Sequence, residues 1–137
     1  MKIGIVGPIW LNVPPTTYGG TEDVVYNLSN GLVANRHEVT LFAPKTAKGK
    51  AKLFPTVEQP LREMNIEWSN VTYPLYHIST AFDHAHEFDL LHVHLNKVSD
   101  YIAFPLAFYS KTPVLFTLHF QLPKEKERYD RYKLMQK

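Results

Sequence analysis

The chain has 137 residues, enough for one α/β domain with a sizeable core but hardly for two. Its 45 % hydrophobic and 13 % aromatic content argues for a folded domain, and a formal charge of +2 is too small to signal a nucleic-acid partner. Cysteine is absent, which excludes a disulfide framework and a thiolate metal site and fits a reducing compartment, and no uninterrupted apolar run reaches membrane-spanning length.

Lys2-Ile3-Gly4-Ile5-Val6-Gly7 is a short apolar run closed by Gly7-Pro8, the pattern of a strand buried on both faces. Gly4 and Gly7 leave room there for backbone or ligand to approach. The chain opens directly into this strand, with no basic lead and apolar signal core, so a cytoplasmic location is expected. Pro14-Pro15-Thr16-Thr17-Tyr18-Gly19-Gly20-Thr21-Glu22 follows. Its prolines stiffen the approach, its paired glycines permit close backbone contact, and a loop ending at outward-pointing helical N–H groups can hold an anionic or oxygen-rich group. Thr21 is expected to cap the next helix, with Glu22 and Asp23 where the helix dipole favours negative charge. Val24, Val25, Leu28, Leu32 and Val33 fall on one helical face, which is expected to pack on a sheet.

Glu38-Val39-Thr40-Leu41-Phe42-Ala43 reads as a second strand stopped by Pro44, completing a right-handed βαβ unit over residues 2–43. Lys45 to Pro60 changes character: four lysines surround Gly49, and Pro55 and Pro60 interrupt regular structure, so a basic surface loop is expected. Such a loop is either simply solvated or meets an anionic acceptor or the inner face of a membrane. Ile66 to Tyr73 is expected to hold a weak strand stopped by Pro74, followed by a helix through Leu75, Ile78, Phe82 and Ala85. Asp89-Leu90-Leu91-His92-Val93-His94-Leu95 is an apolar strand. Ser99 is placed to cap a further helix through Ile102, Leu106 and Tyr109, kinked at Pro105. Pro113-Val114-Leu115-Phe116-Thr117-Leu118-His119 is the last strand, and from Lys124 the chain turns charged and helical.

Strands alternating with helices imply a parallel sheet covered on both faces, and such sheets bind ligands beyond the C-terminal strand ends. Gly7, Gly19-Gly20, Ala43-Pro44, His94-Leu95-Asn96 and His119-Phe120 would therefore converge on one rim. His92 and His94 share one face of their strand, His92 packed or hydrogen-bonded beneath a covering helix and His94 nearer the edge. A metal site built from His84, His86, His92 and His94 is disfavoured, because His84 and His86 fall about 200° apart on an ideal helix and no H-E-x-x-H pattern is present. A nicotinamide site is disfavoured too: no G-x-G-x-x-G turn follows the first strand, and the second ends in Ala43-Pro44 rather than an acidic ribose ligand. Neither a Walker-type phosphate loop nor a serine nucleophile elbow is present.

Pro14-Pro15 through Tyr18-Gly19-Gly20-Thr21-Glu22, the helix with Leu28 and Leu32, and His37-Glu38-Val39-Thr40-Leu41-Phe42 resemble the start of a family-4 retaining glycosyltransferase. The runs Asp89 to His94 and Pro113 to His119 resemble two later signatures of that family in the same order. The resemblance implies the N-terminal, acceptor-side half of a GT-B fold, a Rossmann-like parallel sheet with helices on both faces. In such enzymes a second domain, facing it across a cleft, binds most of the nucleotide-sugar and carries E-x7-E carboxylates. By this resemblance Gly19 and Gly20 would close over the donor's diphosphate and sugar, and His119 would act at the catalytic centre beside the reacting carbon. His94 and Asn96 would line the acceptor pocket. The donor would be a nucleotide-diphosphate-sugar, with no cofactor and no metal, and the acceptor a carbohydrate, a lipid-linked molecule or a small molecule. Arg36 stands where the family commonly has glycine, so Asn35 or Arg36 must make the helix-to-strand turn. A domain of this kind normally continues past Lys137, so this one is expected to be incomplete and inactive alone. A non-catalytic carbohydrate- or partner-binding remnant and a GT-B nucleotide-sugar epimerase are the competing readings.

Overall fold

A computed structural model describes residues 1–120; the helix expected from Lys124 lies outside them. Its strands are β1 (Lys2–Val6), β2 (Glu38–Pro44), β3 (Lys52–Val57), β4 (Leu90–Leu95) and β5 (Val114–Leu118). Its helices are α1 (Gly20–Ala34), α2 (Thr72–Asp83) and α3 (Ala103–Tyr109), with 3-10 turns at Ala85–Glu87 and Val98–Ile102. All strand pairs are parallel and the order is β3-β2-β1-β4-β5, the Rossmann-like arrangement expected for an alternating α/β chain.

β1 is central because it is apolar on both faces: Ile3 and Ile5 point one way and Val6 the other, all three buried. Ile3 and Ile5 join Val39, Leu41 and Val25 in one core, against which Tyr26, Leu28, Leu32 and Val33 of α1 pack. Val6 joins Phe42, Leu91, Val93 and Leu95 in the other, beneath Ile78 and Ala81 of α2 and Ala103 and Phe104 of α3. The inner face of α1 is narrower than its spacing predicts, since Val24 is exposed and the buried positions are Thr21, Glu22, Val25 and Ser29.

β3 corrects the expectation of a basic surface loop. It is an edge strand, so the missing N–H of Pro55 costs no ladder bond on the open side. Phe54 packs its ring at a tilt against the fully buried Phe42, centroids 4.8 Å apart, an anchor that the lysine-rich flanks conceal. The strand expected at Ile66 to Tyr73 does not form; Asn70 Oδ1 instead accepts from the N–H groups of Thr72 and Tyr73 and starts α2. Pro74 and Pro105 both fall in the first turn of their helices, where an absent N–H leaves nothing unpaired, so neither stops nor kinks a helix. Ser99 does not cap α3, because Lys97 precedes a 3-10 turn that runs into it. Thr21 does not cap α1 either: Gly19 holds that position and Thr21 sits inside the first turn.

Arg36 makes the turn after α1 with φ 65, and His37 N–H and Arg36 N–H reach back to the carbonyls of Leu32 and Val33. This is a Schellman ending with a non-glycine residue in the left-handed region. Arg36→Gly is expected to stabilise the domain by about 1 kcal/mol. In β1, a Cβ added at Gly4 would lie 2.8 Å from Leu91 Cδ1 and 2.9 Å from Phe88 Cδ2. Gly4→Ala is therefore expected to cost roughly 1–3 kcal/mol by overpacking. Urea unfolding of both variants checks the two signs.

Candidate functional site

The C-terminal rim is assembled by hydrogen bonds between elements distant in sequence. His77, on the inner face of α2, is fully buried and bridges Gly7 O at 2.8 Å and Thr56 Oγ1 at 2.6 Å. A carbonyl can only accept, so Nε2 carries the proton and the Thr56 hydroxyl donates to Nδ1. One side chain thus joins the ends of β1 and β3 to α2. Burial lowers its pKa from 6.5 to about 4, only partly opposed by the Gly7 bond. His77 lacked any motif to mark it; its signal was its place with Pro74, Ile78 and Ala81 on the buried helical stripe.

The loop side is shaped by close packing. A Cβ at Gly19 would meet Pro15 Cβ at 2.6 Å and Glu22 Oε2 at 3.0 Å, whereas one at Gly20 would meet none of the described residues within 4 Å. Gly19 is therefore required by the fold, and Gly20 presents bare backbone to open space. The Val13–Pro14 peptide that leads into this loop is cis. Glu22 is in the first turn of α1, where the helix dipole favours its charge, yet it is 2 % exposed, its Oε1 has no hydrogen-bond partner among the described residues, and burial raises its pKa. No pattern in the sequence marks this, because an acid in the first turn of a helix is ordinarily solvated.

On the strand side, β4 and β5 bring three imidazoles into a row. His92 and His94 stack at 4.3 Å, and His94 and His119 at 5.2 Å. His94 Nδ1 and His119 Nε2 are 2.9 Å apart, one donating and the other accepting, while His92 Nε2 pairs with Thr117 Oγ1 at 2.8 Å. His94 is 3 % exposed; burial and its two histidine neighbours lower its pKa to about 3. Burial also lowers His119, so this pair works as neutral rings near pH 7. His94 Nε2 is buried without a partner among the described residues, and His94 lines a cleft with only about 10 Å³ of solvent-sized space, together with Gly7, Trp10, Pro74, His77 and Asp100 among others.

Asn96 links the two sides. Its Oδ1 accepts from Thr21 Oγ1 at 3.2 Å, tying the head of α1 to the end of β4, and its N–H donates to Asp100 Oδ2 at 2.8 Å. His119 N–H donates to Leu95 O at 2.9 Å. The structure therefore brings Gly19-Gly20, His94, Asn96 and His119 together at one rim. His84 and His86 lie elsewhere, beside Glu87 and the Asp83 carbonyl at the start of β4. Among the described residues no group of three potential metal ligands forms, and no helix is long and apolar enough to cross a membrane.

Because the folded pKa of His77 lies below 6.5, the unfolded chain takes up the proton first as pH falls. The stabilising contribution of neutral His77 is complete above pH 6.5 and is lost progressively down to about pH 4. The loss amounts to roughly 3 kcal/mol. Stability measured by urea unfolding between those limits should fall less steeply in His77→Gln than in the unaltered protein; parallel profiles would remove His77 as the source.

No curated protein sequence matches the chain. The family model for Glycosyltransferase Family 4 matches residues 18–137, nearly the whole of it, beginning at the loop that ends in Gly19-Gly20 and continuing through β5. With its five-stranded parallel sheet, the chain belongs to glycosyltransferase family 4 and forms a domain of that fold.

Proposed function

We propose that this domain is the acceptor-side half of an enzyme that transfers a sugar from a nucleotide-diphosphate donor with retention of configuration. The anomeric carbon loses its bond to the diphosphate oxygen and gains one to an acceptor oxygen, whose proton leaves with the diphosphate. Gly19 and Gly20 face the diphosphate, His119 lies beside the reacting carbon, and Asn96, with His94 behind it, borders the acceptor. The observation that carries this reading is the hydrogen-bonded continuity of the rim, from Thr21 through Asn96 and Leu95 to His119 and His94.

Chemistry supports each assignment. The leaving diphosphate gains negative charge, which backbone N–H groups at a helix start stabilise. The acid beneath Gly19 weighs less against this than its sequence position suggests, because burial favours its protonated, uncharged form. A neutral His119 offers the sugar a hydrogen bond rather than a charge. The cleft at the rim is far smaller than the roughly 300–1,000 Å³ of a ligand pocket. A second α/β domain facing this rim completes the enclosure, supplies positive charge for the diphosphate, and leaves the isolated domain inactive. The enzyme works at the cytoplasmic side, without a metal ion.

In the full-length protein, labelled sugar should pass from a nucleotide-sugar to an acceptor rather than change within the donor. His119→Ala should lower kcat/KM by roughly 10²–10³-fold. Gly20→Val should lower it at least about tenfold with an unchanged Tm, since a side chain there clashes with ligand and not with the fold. Unchanged turnover in both variants would sink the assignment of this rim.

A further inference from the structure

Trp10 and Trp68 are the only two tryptophans in the chain, and they stack on each other at 4.6 Å with 24° between their planes. Trp10 is buried, whereas Trp68 is 40 % exposed. Two cations gather on this pair from different parts of the chain. Lys97 Nζ lies 3.0 Å from the centre of the Trp68 ring and 4.7 Å from that of Trp10, and the Arg62 guanidinium lies 5.0 Å from Trp68. Lys97 directly follows Asn96 on the rim; Arg62 comes from the turn after β3.

Like charges gathered in this way repel. Burial and the Arg62 charge both lower the pKa of Lys97, and Asp100 offsets this only through space. The Asp100 carboxylate is occupied by the N–H groups of Asn96 and Lys97 and by the Ser99 hydroxyl. Glu63, beside Arg62, is taken by Asn12. Among the described residues, no carboxylate forms an ion pair with either cation. The indole rings offset part of the repulsion but leave both charges in place. A forked guanidinium and a compact ammonium beside an exposed ring suit phosphate oxygens, the guanidinium by paired hydrogen bonds and the ammonium as a point charge.

We propose that Arg62 and Lys97, backed by Trp68, form an anion subsite that receives a phosphate group carried by the acceptor. The acceptor assignment rests on the reading of the rim given above; the subsite itself rests on two cations gathered at one exposed ring, neither in an ion pair among the described residues. The phosphate belongs to a soluble ester or to a lipid headgroup, which share this chemistry.

Since both tryptophans lie in the cluster, intrinsic fluorescence of the purified chain reports the subsite directly. At constant ionic strength, inorganic phosphate and glycerol 3-phosphate should give a saturable change that glycerol does not. Arg62→Gln and Lys97→Gln should each weaken the apparent affinity at least about tenfold. If one variant fails to fold, the other carries the same test. Vesicles of phosphatidylglycerol, set against phosphatidylcholine, separate the sources: a response to the anionic vesicles alone, lost in the same variants, assigns the phosphate to a lipid. No saturable response to either source, or responses that both substitutions leave unchanged, would overturn the subsite. Phosphate binding of the expected kind, in a full-length protein that transfers no sugar, would keep the subsite and remove the glycosyl-transfer reading.

Discussion

Because β1 has neighbours on both edges and packed side chains on both faces, its backbone has no access to water, and its N–H and C=O groups must pair within the sheet. That pairing sets Ile5 level with Leu41 and His92, and Val6 level with Phe42 and Val93. Once this register exists, the ends of β1, β2 and β4 arrive at one rim together. Gly4 shows how tightly it is held, since even a methyl group there would collide with Leu91 and Phe88. The central ladder brings the loop, the histidines and the rim carbonyls to one end of the sheet, where their own hydrogen bonds then fix them.

The rim is then locked by polar side chains that would be costly to bury without partners. His77 joins α2 to Gly7 and Thr56, and Asp100 gathers the N–H groups of Asn96 and Lys97. Both side chains are buried and both have their hydrogen bonds, so they fix loop geometry at little net cost. Among the described residues, His94, Glu22 and Trp10 each keep one buried polar atom without a partner. The first two flank the same rim, on the strand side and the loop side, and buried polar atoms left without a partner are uncommon in a folded domain.

A charge pattern emerges that a residue count hides. The imidazoles of His94 and His119 are held neutral, and burial moves the acid below the glycines toward neutrality. Positive charge stands to one side, on Arg62 and Lys97 around the paired indoles. Neutral hydrogen-bonding groups thus occupy the centre of the rim and positive charge its margin, an arrangement in keeping with the proposed sugar transfer. This arrangement is carried by particular side chains and is independent of the net charge of +2.

The order of residues alone reveals the α/β class, four of the five strands, the helix faces built on Val25 and Ile78, and the gathering of Gly19, Gly20, His94, Asn96 and His119 at one rim. It does so because a strand buried on both faces and a helix packed on one leave strong local periodicity. The likeness of Gly19-Gly20-Thr21-Glu22 and the two histidine-bearing strands to one family was legible for the same reason: those residues are contiguous. The remaining features arise from contacts between distant residues. β3 was hidden because an edge strand can carry Pro55 and lysines while Phe54 does the packing. Pro74 and Pro105 read as breaks until the helix starts were known, since a first turn has no N–H bond to lose. The burial of Glu22, the bridge made by His77, and the meeting of Arg62 with Lys97 each join residues that no local pattern links. Burial and charge proximity belong to the folded chain in three dimensions, so these features could be read only there.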